Sequence, residues 1–397
     1  QNQGSSFSAS YQGDGTSGVY IYGAQLNAGT VAKPYFPTTT RLNIPQIDYA
    51  EGCPSILIEP QRTNLLTYNQ DFNNIIWFKN YAGLVANNTN SPDGTLNGYK
   101  ITNTFSAQSY VRYSNSFSNI TYSFSCFFKK GNQDWAFLRS NSTSLESATY
   151  FDLTNGVVGN IGAGATSAKI ENANNDWFRC TITFQSLTSA SSVDFGIATS
   201  AQNNRISNLN DFIYIWGAQL EQGSYATSYI PTVASTVTRN ATTVSKTGIS
   251  DLINSEEGTF FVKAKVSNNN SLNLFSLHEN ITNNNRLLIG FNTTNNFILF
   301  YLEKNGSVQI NAVFSVTDIS SSFIKVAFVY KVNNSAFFIN GIKVGGDLLC
   351  ETFGINTLSN FSFSNASGSS SFNGNVKQLQ LYKEALTDTE CIALTTI

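Results

Sequence analysis

A segment of 19 residues occurs twice in this chain, and the distance between its copies sets the scale of the fold. Tyr20-Ile21-Tyr22-Gly23-Ala24-Gln25-Leu26 returns as Tyr214-Ile215-Trp216-Gly217-Ala218-Gln219-Leu220. The match continues without a gap through Gly29/Gly223, Ala32/Ala226, Tyr35/Tyr229, Pro37/Pro231 and Thr38/Thr232. Of the 19 aligned positions 11 are identical, at a fixed offset of 194. Solenoid repeats recur every ~20–50 residues, so this offset is the period of a domain. The first copy begins at residue 20, which leaves most of its domain without sequence here. The expectation is that 1–40 is the end of a preceding, truncated module. On that reading 19–26 is a strand equivalent to 213–220, completed by upstream sequence or by another chain.

The chain has 397 residues, which allows two to three domains. Only 12% of residues are charged, about half the usual ~25%, so Asn, Ser, Thr and Gln must supply the polar surface. With a formal net charge of −2 and no Lys/Arg stripe, nothing attracts a polyanion, which argues against nucleic-acid binding. No apolar run approaches the ~18–20 residues of a membrane span; the strongest, 323–332, is interrupted by Lys325 and Lys331. Neither a secretion signal nor a methionine is present. The five cysteines (53, 126, 180, 350 and 391) form no CxxC pair and no metal-ligand spacing. Cys126 with Cys180, or Cys350 with Cys391, could bridge; five free, packed thiols is the simpler reading.

Aromatics reach 13%, and with Thr, Val and Ile they favour strands. Short strand-like runs recur at 99–103, 110–113, 121–129, 135–139, 149–153, 178–184, 193–198 and 212–216. Turn residues such as Asn155-Gly156 and Asn174-Asn175-Asp176 separate them. A second series occupies 259–266, 272–278, 286–291, 297–303, 308–313, 323–332, 336–344, 361–363 and 376–382. This spacing predicts an all-β chain of tandem β-sandwiches. The expected units are 41–240 and 241–397. Asn340-Gly341 between apolar runs predicts a hairpin with a type I′ turn. Thr387-Asp388-Thr389-Glu390 is a capping box that predicts one short C-terminal helix.

Two long motifs then carry a resemblance. Pro54-Ser55-Ile56-Leu57-Ile58-Glu59-Pro60-Gln61-Arg62-Thr63-Asn64-Leu65, with Asp71-Phe72 and Trp77, resembles the opening of a module in bacteriophage tail-fibre and receptor-binding proteins. The stretch from Trp216 through Glu221-Gln222-Gly223-Ser224-Tyr225-Ala226-Thr227-Ser228-Tyr229-Ile230-Pro231-Thr232 resembles its ending. In that family the module is a jelly roll similar to carbohydrate-binding modules. Residues 258–397 resemble a laminin-G-like, concanavalin-type sandwich, through Val326-Ala327-Phe328-Val329-Tyr330, Phe338-Ile339-Asn340-Gly341, Gly374-Asn375-Val376-Lys377 and Ala385-Leu386-Thr387-Asp388. The resemblance implies an extracellular virion fibre or spike, usually a homotrimer, that attaches to a host surface polysaccharide or glycoconjugate beside other virion proteins. A structural or decoration protein and a polysaccharide depolymerase are the alternatives.

An enzyme would need a constellation that the sequence does not offer. The single histidine, His278, stands in a strand-like run, and no G-x-S-x-G nucleophile motif occurs. The E-x-D-x-x-E pattern of concanavalin-type glycosidases is absent, which leaves open only carboxylate pairs that are distant in sequence. No phosphate loop, zinc signature or EF-hand loop appears. Calcium is known in laminin-G-like domains, but no Asp cluster nominates a site, so no cofactor is expected. Sugars present apolar faces for stacking and hydroxyls for amides and carboxylates. Trp77, Trp177 and Trp216 read as core. Tyr110, Tyr113 and Trp135, beside polar segments, are the candidates for a carbohydrate-binding face.

Overall fold

The computed structural model describes residues 46–49, 52–141, 148–186, 191–202, 208–267 and 271–397. The 1–40 segment, with its repeat copy and the strand expected at 19–26, lies outside the described residues. The described chain is all-β apart from one short helix. It opens with β1 (Gln46–Asp48), β2 (Ser55–Ile58) and β3 (Arg62–Asn64). Next come β4 (Trp77–Asn80), β5 (Ala82–Thr89), β6 (Gly98–Asn103), β7 (Tyr110–Asn115), β8 (Thr121–Lys129) and β9 (Trp135–Ser140). β10 (Thr149–Asp152), β11 (Val157–Val158), β12 (Ser167–Asn172), β13 (Trp177–Gln185), β14 (Ser191–Ala198), β15 (Phe212–Gln222) and β16 (Val237–Arg239) follow. The remainder is β17 (Ser245–Lys246), β18 (Glu257–Val266), β19 (Leu272–His278), β20 (Arg286–Asn292), β21 (Phe297–Lys304), β22 (Ser307–Ser315), β23 (Ile324–Lys331), β24 (Ser335–Ile339), β25 (Ile342–Leu348), β26 (Asn360–Ser362), β27 (Gly374–Tyr382) and α1 (Asp388–Thr395).

Two six-stranded antiparallel sheets, ordered β11-β10-β9-β14-β7-β4 and β12-β13-β8-β15-β6-β5, face each other in the first sandwich. The chain passes back and forth between them, so consecutive strands such as β7, β8 and β9 meet across the core. Phe124, Phe128, Phe195, Ile213 and Ile215 fill the interior. Cys126 and Cys180 stand opposite each other on β8 and β13 as buried free thiols. Burial raises the pKa of both.

The module-ending motif explains itself here. β15 shifts register against β8 between Trp216 and Gln219, and Gly217 takes the left-handed φ of +58° that this bulge requires. The bulge turns the Ala218 carbonyl to accept from Asn64 Nδ2 (3.3 Å) and Asn69 Nδ2 (3.0 Å). Gln219, fully buried, donates to the Thr227 and Ser228 carbonyls and accepts from the Ile230 N–H at 2.6 Å. Glu221 accepts from the Thr227 N–H at 2.8 Å and from the Thr227 hydroxyl. The opening and closing motifs are therefore one buried polar network that ties the ends of the module together.

The second sandwich stacks a seven-stranded sheet, β1-β2-β27-β18-β23-β24-β25, on a six-stranded one, β17-β26-β19-β20-β21-β22. Its core centres on Phe300, which packs against Phe314, Phe328 and Phe337. Asn340 and Gly341, at φ of 47° and 81°, make the tight hairpin between β24 and β25. Thr387 and Glu390 form both halves of the capping box, and Cys391 buries α1 against Phe261 and Phe338.

Residues 46–58, which the motif reading places in the 41–240 unit, pair with the second sandwich. Ile56 stands opposite Val376 and Ile58 opposite Gly374, so β2 extends the sheet beside β27. The next residue, Glu59, is buried and meets Arg239 Nη1 at 2.7 Å where the chain leaves the first sandwich. β16 pairs with β3 at the same junction.

Candidate ligand-binding site

Two of the three aromatics singled out from sequence share a face. Tyr110 and Trp135 lie on the outer side of the β7–β14–β9 sheet, packed with Phe137 and Tyr150. The guanidiniums of Arg112 and Arg139 lie 5.0 and 5.2 Å from the Tyr110 ring centre. Trp135 lies against Gly159, where a Cβ would come within 2.8 Å of its ring. Tyr113 belongs to the opposite side. It meets Trp77 edge-on at 5.1 Å in the core, and its hydroxyl lies 3.3 Å from Thr67 Oγ1. Of the tryptophans read as core, Trp77 fills the first interior. Trp177 and Trp216 are buried in a separate cluster with Phe127 outside the sheet.

A larger opening lies where the sandwiches meet. A cleft of about 1140 Å³ runs between the outer faces of the two sandwiches. That exceeds the ~300–1,000 Å³ of ordinary small-molecule pockets. One wall is the outward stripe of β12 and β13, with Lys169, Glu171, Arg179, Thr181 and Thr183. The other is formed by Gln46, Asp48, Ser55 and Leu57 of the β1–β2 hairpin, with Lys265, Phe323 and Asn375. The loop 224–228 also lines the cleft. Strand alternation produces the first wall: Cys180 and Ile182 point into the core, so Arg179, Thr181 and Thr183 must point out.

The lining offers hydroxyls and a few amides, interspersed with the charged Asp48, Glu59, Lys169, Glu171, Arg179 and Lys265. Asn375 Nδ2 donates to Asp48 Oδ2 at 2.8 Å and to Ser55 Oγ at 3.0 Å, which fixes the hairpin wall. Thr183 Oγ1 donates to the Ser224 carbonyl at 3.0 Å. Lys169 and Glu171 pair at 2.6 Å on the rim. Burial pushes the Tyr225 phenol up to about 12. Sequence reasoning missed this cleft because its walls come from segments more than a hundred residues apart. The visible signal was the polar half of the β13 alternation, Arg179-x-Thr181-x-Thr183.

His278 is buried in the interior of its sheet, between β20 and β26, with Nδ1 3.1 Å from Ser276 Oγ. No group of three or more His, Cys, Asp or Glu side chains comes together as metal ligands among the described residues. Burial lowers the His278 pKa below its ordinary 6.5. The neutral ring is thus favoured in the fold, so its contribution to stability is complete above pH 6.5 and is lost as pH falls through the lowered native value. Urea midpoints measured at pH 7.5 and at successively lower pH should fall, and His278→Gln should flatten that slope. An unchanged slope in the variant would remove His278 as the cause.

Residues 251–391 match the sequence profile of the Concanavalin A-like lectin/glucanases superfamily. The second sandwich has a concanavalin A-like fold. Solved structures similar to the chain include the Ruminococcus gnavus IT-sialidase CBM40, at 18% identity and a TM-score of 0.32, covering 38% of this chain and 98% of that one. The SAP-like pentraxin of Limulus polyphemus is similar at 17% identity and a TM-score of 0.29, covering 36% and 70%. The carbohydrate binding module CBM66 from Bacillus subtilis is similar at 6% identity and a TM-score of 0.24, covering 35% and 77%. No curated protein sequence matches the chain. No helix among the described residues is long and apolar enough to cross a membrane.

Proposed function

We propose that this chain is a non-catalytic glycan-binding protein that holds an oligosaccharide in the cleft between its sandwiches. The observation that carries the reading is the cleft itself, too large for a monosaccharide-sized ligand alone and lined by hydroxyl and amide groups beside the lectin-like sheet. Such groups exchange hydrogen bonds with sugar hydroxyls, and the half-buried Leu57 and Phe323 offer apolar surface for C–H groups. The finer reading is a bacteriophage fibre or spike protein that attaches to a host surface polysaccharide. It is supported by the opening and closing motifs of the first module, and it takes with it the reading of 1–40 as the end of a preceding module, and trimeric assembly. A glycan array and a cell-adsorption assay test the proposal together. Binding to at least one surface glycan is expected, with competition by that glycan in solution. An array without signal, together with absent adsorption, would leave the spacer or decoration reading.

A further inference from the structure

We propose that the cleft selects an acidic saccharide whose carboxylate is held by Arg179; this rests on the glycan-binding reading above. Arg112 and Arg139 are paired with Asp194, Arg239 with Glu59, and Arg286 with Glu303. Arg179 meets no carboxylate within ion-pair distance among the described residues. Its Nε and Nη2 donate to Ser125 Oγ at 3.2 and 3.0 Å, and its Nη1 donates to the Thr227 carbonyl at 2.6 Å. A guanidinium carries five N–H donors, so one on each terminal nitrogen remains. Glu171 stands opposite Arg179 across β12 and β13, and its Oε1 pairs with Lys169 at 2.6 Å on the exposed rim rather than with the guanidinium.

The setting orients what is left. Phe127 lies beneath the guanidinium, 5.4 Å from ring centre to Cζ, and holds its plane. Ser125 and Thr227 fix it from two sides, so its position is set before a ligand arrives. Two residues along the same strand, Thr181 is buried in the cleft wall and its hydroxyl has no hydrogen-bond partner. A partly buried cation with spare donors and a neighbouring unsatisfied hydroxyl suits a sugar carboxylate with an adjacent ring hydroxyl. Arginine's planar fork is matched to carboxylate in a way that an ammonium is not.

The deciding experiment prints oligosaccharides in pairs, each uronic-acid-containing member beside its carboxyl-reduced form. Wild-type protein should bind acidic members and lose about 10–100-fold in affinity on their reduced partners, the range for a hydrogen bond to a charged group. Arg179→Gln should show the same loss on acidic members and little change on any reduced one, and Arg179→Lys should recover only part. Thermal melts of both variants verify the fold; if Arg179→Gln does not fold, the paired comparison on wild type decides alone. Equal binding to both members of every pair would overturn the carboxylate inference and leave the glycan reading standing. Binding to no member would overturn both.

Discussion

Replacing Arg239 by methionine is expected to cost about 3–5 kcal/mol, because it strands a buried carboxylate. Glu59 and Arg239 are 7% and 1% exposed in their side chains and meet at 2.7 Å. Arg239 Nη2 also donates to the Pro60 carbonyl at 3.1 Å, and Glu59 Oε1 accepts from the Ser228 N–H at 2.8 Å. Methionine roughly fills the arginine's space and removes the only cation at ion-pair distance from Glu59 among the described residues. The pair's position makes the loss larger than local. Glu59 follows β2, a strand of the second sandwich, and precedes β3, a strand beside the first. The variant should therefore unfold in two separated calorimetric transitions where the parent's sandwiches melt together, since the junction that couples them is weakened. Combining it with Glu59→Leu should recover part of the loss, because an apolar pair has no charge to desolvate. A loss below about 1 kcal/mol in the single variant would mean that water reaches Glu59 and that the junction is not sealed.

What was legible in the sequence was whatever a local pattern controls. The runs at 121–129 and 272–278 are strands over those same residues. The Asn340-Gly341 turn and the Thr387 capping box formed because their determinants lie within four residues of each other. β12 escaped notice because Ser167–Asn172 is an edge strand whose alternation rests on Ala168 and Ile170 alone. The β1–β2 hairpin read as part of the first unit, yet its partner β27 lies more than 300 residues downstream, and no local pattern encodes that pairing. The candidate face was partly decidable in advance. Tyr110 and Tyr113 are three apart in one strand, and an odd spacing at period two puts them on opposite faces. The repeated Gly-Ala-Gln-Leu segment suggested modularity, and its residues serve closure of the module through the Gly217 bulge and the Gln219 network. The cleft depends on how two sandwiches are joined, and that is set by the Glu59–Arg239 junction rather than by any run of residues.

Asp194→Ala should cost a comparable ~3–5 kcal/mol and should change what the outer face of the first sandwich binds. Asp194 is fully buried in the middle of β14. Arg112 on β7 grips it with Nε at 2.7 Å and Nη2 at 2.8 Å, Arg139 on β9 grips it with Nε at 2.9 Å and a shorter Nη2 contact, and Asn141 adds a bond at 2.8 Å. One carboxylate thus reconciles two guanidiniums on the strands either side of it. Removing it leaves like charges on the two strands that flank β14, where both keep the Tyr110 ring and Arg139 Nη1 still donates to Gln108 Oε1 at 3.3 Å. Asp194→Asn keeps the size and one acceptor, so its loss should be smaller. Chemical denaturation in urea, which does not screen charge, gives the two values. Raising ionic strength should recover part of the alanine loss by screening the arginine pair. Sulfate should recover more than chloride at equal ionic strength, because it can occupy the vacated position and stabilises the fold by binding it. If sulfate and chloride were equivalent, the two guanidiniums would have moved apart into solvent, and Asp194 would be a surface counter-ion rather than the centre of a built network. The contrast with Arg179 follows from the same geometry. Where a carboxylate is supplied by the chain, as on β14, the arginines are structural; where the chain supplies only Ser125 and Thr227, donors remain for a ligand.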